Sequence, residues 1–199
     1  MALNRHGFTV IEIIIVMLML GVVAAITLPA SFKSSPTLQV DRAARQMARD
    51  LDLVRMQAIA SKRTVRVKFD GANDFYTAFM DITANRNGTI TETSDEVRRS
   101  GIVARGALGG MPGAKLPKKV QFGCGNAGSG PLSYSCAGDP IFITDDKANF
   151  DTRGMLMPLG TTGVVYLVHE DDPEAVAAIT LSGGGAFRYW RYRDGQWVH

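Results

Sequence analysis

The stretch Gly7-Phe8-Thr9-Val10-Ile11-Glu12 opens an apolar run that continues to Leu28, and its reading decides the fold. From Ile13 to Phe32, 20 residues pass without a charged side chain, rich in Ile, Val, Leu, Met and Ala. As a helix such a run rises ~30 Å, about the thickness of a bilayer core. Glu12 is the exception near its start. A carboxylate inside an apolar helix costs roughly 2.5–3.5 kcal/mol on insertion scales, and a plain anchor gains nothing from it. The helix offers no internal partner, so the partner must come from a chain end or another subunit. Two other readings compete: a plain anchor with an accidental acid, and a secretory signal peptide. The latter has a shorter apolar core of roughly 7–15 residues and a small-x-small cleavage site. Here the run is longer, and Ala24-Ala25 and Ala30-Ser31 are weak small-residue sites.

Arg5-His6-Gly7-Phe8-Thr9-Val10-Ile11-Glu12 resembles the class III signal of type IV prepilins and type II secretion pseudopilins: a short basic leader ending in Gly, then Phe, Thr, an apolar pair and Glu. The resemblance implies that a prepilin peptidase cuts between Gly7 and Phe8 and methylates the Phe8 amine. It implies that Glu12, fifth in the mature chain, offsets the positive N-terminus of a neighbouring subunit during filament assembly. The missing partner of the acid is then a Phe8 ammonium in trans.

The chain has 199 residues, enough for the helix and one domain. A net charge of +3, to which Arg5 contributes, is too small to imply a nucleic-acid partner by itself. By the positive-inside bias the N-terminus with Arg5 faces the cytoplasm, Lys33 weakening the asymmetry slightly. The expected placement is single-pass in the bacterial inner membrane, with the large domain in the periplasm, and later in a pilus or pseudopilus. In that oxidising compartment Cys124 and Cys136, which flank a Gly-, Ser- and Pro-rich segment, are expected to form a disulfide. Zinc is the rival, but no His or second Cys pair stands nearby.

Pro29 follows the apolar run and predicts a kink, and Ser34-Ser35-Pro36 either breaks the helix or restarts it. From Thr37 to about Ser61, Val40, Ala44, Met47, Leu51, Val54 and Ala58 recur at spacings of four and three and form one apolar stripe. Arg42, Arg45, Arg49, Asp52 and Arg55 occupy the other faces, toward solvent or neighbouring subunits. Arg55-Met56-Gln57-Ala58-Ile59, leading straight into a strand, resembles the GspH/FimT branch of pseudopilins and minor pilins. From Thr64 the period becomes two: Val65, Val67 and Phe69 alternate with Arg66 and Lys68, a half-buried antiparallel strand. Further strands are predicted at Phe75–Asp81, Val97–Val103, Lys119–Phe122, Pro140–Thr144, Gly163–His169, Ala175–Ser182 and Ala186–Tyr192. Asn87-Gly88 reads as a tight turn and Gly106–Pro117 as a loop. The expected fold is α+β, a long N-terminal hydrophobic helix of pilin-like spine type packed on an antiparallel β-sheet domain. Its expected parts are a leader at 1–7, a transmembrane and assembly helix at 8–28, an amphipathic continuation at 29–62 and an outward-facing β domain at 63–199.

Asp81, Asn85, Asn87 and Glu92 faintly resemble a calcium loop. However, the first and last ligand positions of that pattern fall on Thr83 and Ser94, so a polar hairpin loop is the better reading. His169-Glu170-Asp171-Asp172 could be a metal or acid–base cluster but stands where charged turn residues are expected. The histidines His6, His169 and His199 are scattered. No phosphate loop, nucleophile–base set or metal-ligand spacing is present, so neither cofactor nor enzymatic activity is expected. In the C-terminal stretch from Phe187 to His199, Arg188, Arg191 and Arg193 interleave with aromatics. Arg suits phosphate and aromatic rings suit unpaired bases. The tail resembles that of FimT-type minor pilins, which implies DNA as a further partner; a final strand with core aromatics and solvated Arg is the alternative. The resemblance as a whole implies a non-enzymatic minor pilin or pseudopilin, partnered by other subunits and the prepilin peptidase, with a major filament subunit as the variant reading.

Overall fold

A computed structural model of the chain describes residues 9–31, 35–136 and 138–199. Two helices come first. Helix α1 spans Val10–Ser31, running through Pro29, and α2 spans Pro36–Ser61. Pro36 is the first helical residue of α2, where its missing N–H costs nothing and its fixed φ suits the turn. The chain divides into two units, Met1–Ser35 and Pro36–His199.

In the second unit the stripe along α2 is buried as its spacing requires. Ala44, Met47 and Ala58 are fully enclosed, and Val40, Leu51 and Val54 nearly so. Two antiparallel sheets cover them. The first sheet contains β1 (Val65–Asp70), β2 (Phe75–Met80), β3 (Gly106–Leu108) and β4 (Met111–Lys115). The second begins with β5 (Val120–Phe122) and β6 (Ile141–Phe142). The chain then returns to the first sheet with β7 (Lys147–Phe150) and β8 (Leu156–Met157). It closes the second with β9 (Gly163–His169), β10 (Asp172–Leu181), β11 (Phe187–Arg193) and β12 (Gln196–Val198). The spatial orders are β3-β4-β2-β1-β7-β8 and β12-β11-β10-β9-β5, with β6 sharing the outer edge of β9 with β5. The α2 stripe, Val65, Val67 and Phe69 of β1, and Val165, Leu167, Ala177, Ile179 and Leu181 of β9 and β10 form one continuous core.

The second sheet is covered on its other face too. The segment from Gly123 to Pro140 folds back over it, bringing Cys136 and Cys124 against Val164, Tyr166 and Ala178, and Ala127 against Val168 and Val176. All seven residues of β9 are buried for that reason. Two-sided burial is what its unbroken apolar sequence requires. Cys124 and Cys136 are bonded, with Cα atoms 5.8 Å apart, and pin this segment.

Several local readings change. Val97 lies in a helix, α3 (Ser94–Arg99), and not in a strand. The cause is a capping box: the Thr93 hydroxyl accepts from the Glu96 N–H, and the Glu96 carboxylate accepts from the Thr93 and Thr91 N–H groups. Gly106–Pro117 is a hairpin, β3–β4, turning at Gly109 and Gly110 with φ of 56° and 83°, a left-handed pair that glycine adopts without penalty. Asp194-Gly195 turns β11 into β12 in the same way.

The expected single-pass placement in the inner membrane is corrected. Among the described residues, no helix is long and apolar enough to cross a membrane. The architecture is α+β, with a helix packed on a large antiparallel β assembly.

Met47 tests the core. Met47→Ala is expected to lower the stability of the Pro36–His199 unit by about 2–5 kcal/mol, the cost of a large-to-small change at a site with no exposed surface. Urea unfolding should show a lower midpoint at an unchanged slope.

Candidate functional site

Thr9 immediately precedes α1. Its hydroxyl accepts from the Glu12 N–H at 3.4 Å, and its carbonyl accepts from the same group at 3.0 Å. Thr9-Val10-Ile11-Glu12 therefore starts the helix with capping-box spacing, placing the acid in the first turn, where the helix dipole favours negative charge. Beyond it the apolar side chains are exposed around the circumference, from Ile13 to Val23. A helix apolar on all sides needs other apolar surface to bury it. Among the described residues the Glu12 carboxylate has no ion-pair partner. Gly7 and Phe8, the expected cleavage and methylation positions, lie outside the described residues, as does His6.

In the C-terminal tail the alternation of β11 divides the three arginines. Phe187 and Tyr189 pack on the core, and Arg191 follows them on the α2 side. Arg191 forks onto Asp41, donating from Nε to Oδ1 at 2.9 Å and from Nη2 to Oδ2. Asp41 is buried and also meets Arg45 at 3.5 Å. Arg45 in turn lies over the Tyr189 ring, 5.0 Å from its centroid. Arg188 is exposed on the other face, and Arg193 is exposed at the strand end. Trp190, Tyr192 and Trp197 pack on the back of the second sheet; Trp190 donates to the Thr180 hydroxyl and Trp197 to the Ser129 carbonyl. Those aromatics are structural. Arg45, Arg191 and Arg193 still share one groove with Tyr189 and His199, of about 350 Å³.

A second acid on α2 was not legible as a site. Asp50 is 1% exposed and receives the Tyr76 hydroxyl at 2.5 Å, the Gln46 amide at 3.1 Å and both terminal nitrogens of Arg105. Burial and then the Asp50 charge push the Tyr76 hydroxyl well above its ordinary range, so it remains a donor. The hydrogen bonding of the Arg105 guanidinium, which donates to Asp50, raises the arginine above its ordinary value. Asp41 and Asp50 flank the apolar stripe on opposite sides, each holding an arginine distant in sequence. The signal was present in the sequence as two acids adjoining the stripe residues Val40 and Leu51.

The weaker motifs resolve into structural contacts. Asp81 accepts from the Thr83 N–H and hydroxyl and from the Gly88 N–H. Burial pushes its carboxyl up, but these donors prevail and hold it below the usual range. Glu92 is bound elsewhere, by Lys68 at 2.6 Å, Arg66 at 3.6 Å and Lys147 at 3.9 Å. The suggested calcium ligands therefore do not converge. His169 accepts from the Asp171 N–H, and Asp171 pairs with Lys119 at 2.5 Å. Among the described residues, no three potential ligands gather into a metal site.

A model of the prokaryotic N-terminal methylation motif matches residues 3–28. A model described as type II transport protein GspH matches residues 43–185, more than half of the chain, and the chain belongs to that family. No curated protein matches. Among solved structures, the minor pseudopilin EpsH of the Vibrio cholerae type II secretion system is similar at 14% identity and a TM-score of 0.46, over 80% of this chain and 100% of that one. The Pseudomonas aeruginosa type IV minor pilin FimU is similar at 10% identity and a TM-score of 0.45, over 80% and 92%. At that level neither likeness adds weight to the family match. The role is that of a structural subunit of a pilus or pseudopilus, whose partners are other subunits of the same system.

Arg105→Ala is expected to cost about 3 kcal/mol, because it strands a buried carboxylate. Asp41→Ala should cost less, about 1–2 kcal/mol, since the released Arg191 is about one-third exposed and reaches water. Thermal and urea unfolding of the two variants would reverse this ranking if the buried acids were not the anchored partners.

Proposed function

We propose that the chain is a minor pseudopilin of a type II secretion system, or its counterpart in a type IV pilus. In this reading a prepilin peptidase removes residues 1–7, cutting between Gly7 and Phe8, and methylates Phe8. Helix α1 then serves as the filament's spine element, burying its apolar circumference against neighbouring subunits. Glu12 pairs with the Phe8 ammonium of the next subunit. The observation that carries the reading is the methylation-motif match over residues 3–28, joined to a helix whose one acid lies in its first turn. The family description favours secretion over a pilus.

N-terminal mass spectrometry of the protein from its native host is expected to find a chain beginning at N-methylated Phe8; a chain still beginning at Met1 would exclude the processing step. Glu12→Leu should leave the Pro36–His199 unit folded and remove the subunit from sheared filaments. Normal recovery of that variant in the filament fraction would refute the role of Glu12.

A second reading, contact with DNA, is favoured by one observation: Arg45, Arg191 and Arg193 line a common groove. Phosphate would meet Arg193 and Arg45, since Arg191 is engaged by Asp41. A fluorescent single-stranded oligonucleotide titrated with residues 36–199 should then bind with an affinity that falls steeply with salt, and Arg193→Ala should flatten that slope. The absence of binding at low salt would remove this reading.

A further inference from the structure

The outward ridge of α2 carries Arg42, Arg45 and Arg49, all exposed. Arg45 turns to Tyr189 and Asp41. Arg42 and Arg49 instead line a groove of about 670 Å³ on the other flank, closed by Arg105 and Lys115 and floored in part by Leu116 and Pro117. Here the charges do not balance. Asp50, the acid at the groove, is saturated: its two oxygens already accept from Gln46, Tyr76 and Arg105. Arg49 donates to the neutral amide oxygen of Gln46 at 3.1 Å. Among the described residues, Arg42 and Lys115 have no hydrogen-bond or ion-pair partner for their side chains. Arg42, Arg49 and Lys115 thus present uncompensated positive charge around one concave, partly apolar site.

We propose that this groove receives an acidic segment of the adjoining filament subunit, one bearing at least two carboxylates. The proposal rests on the subunit role argued above and names the chemistry of one of its contacts. Guanidinium forks take carboxylates in bidentate fashion, and Lys115 supplies a third charge as a flexible point cation. The apolar floor suits the side-chain stems of a peptide. Nucleic acid fits less well: the groove's aromatic residue, Tyr76, is buried at 2% exposure and cannot stack on a base.

The Pro36–His199 unit contains its own core and serves for the binding test, with fluorescein-labelled hexaglutamate as the probe. Binding at low salt is expected, weakening with added salt. Arg42→Ala and Arg49→Ala should each weaken it about tenfold, the effect of one charge-assisted hydrogen bond. Arg153→Ala, at an exposed cation paired with Asp151, should leave it unchanged. No binding, binding indifferent to Arg42 and Arg49, or preferential binding of a thymidine decanucleotide through the same residues would overturn the proposal. In the full chain, an Arg42→Glu/Arg49→Glu double variant should be processed normally yet be depleted from sheared filaments. Normal incorporation would overturn the groove's role while leaving the subunit role intact, whereas absence of the wild-type chain from filaments would overturn both.

Discussion

The burial of one helical stripe between two sheets is the constraint on which the rest of the Pro36–His199 unit depends. Val40, Ala44, Met47, Leu51, Val54 and Ala58 take their cover from both sheets, so neither sheet has a complete core without α2. The small residues let the strands approach, and Met47 fills the centre. Registry around the helix axis is then set by charge. Asp50 holds Arg105 and Tyr76 on the flank toward the first sheet, and Asp41 holds Arg191 on the flank toward the second. A rotation of α2 by one residue would expose the stripe and pull two acids from their cationic partners. Hydrophobic burial supplies the larger stabilisation, and the two ion pairs restrict which face is buried.

What was legible in the sequence follows from which interactions are periodic. The α2 stripe and the alternation in Val65–Phe69 are repeated many times within one element, so the reading tolerated single exceptions. The same holds for β9 to β11, whose register pairs Ile179 with Val165 and Tyr189. Single local events were harder. One capping box overrides the strand-like reading of Val97, and one glycine pair converts Gly106–Pro117 into a hairpin. Strands β7 and β8 are short: β7 borrows its pairing from β1, a partner distant in sequence, and β8 pairs in turn with β7. Asp41 and Asp50 were illegible as buried groups because their partners lie 150 and 55 residues away. On a helical wheel they resemble any other solvated charge.

The tail shows the same principle from the other side. Arg interleaved with aromatic residues is a pattern shared by nucleic-acid-binding strands and by ordinary closing strands of a sandwich. Composition does not separate them, but the back face of the second sheet does. The disulfide-pinned segment from Cys124 to Cys136 leaves space that Trp190, Tyr192 and Trp197 fill. Arg191 is drawn inward by Asp41. Exposed positive charge consequently persists at the strand's two ends, Arg188 and Arg193, and does not form a continuous track.

This redistribution bears on how a subunit meets its neighbours. Both faces of the second sheet are occupied, one by α2 and the other by the 123–140 segment, so its apolar surface is spent internally. Apolar surface in search of cover persists on α1, exposed from Ile13 to Val23. Uncompensated positive charge persists along the ridge of α2. An assembly contact that combined the two would bury apolar surface for strength and use charge for register. α2 divides those tasks in the same way inside its own fold, with Met47 and Leu51 in the core and Asp41 and Asp50 at its margins. In the proposed filament the acid of α1 fits that pattern: Glu12, in the first turn of the helix, contributes little to burial and would serve to fix which neighbour, and which position along it, the helix accepts.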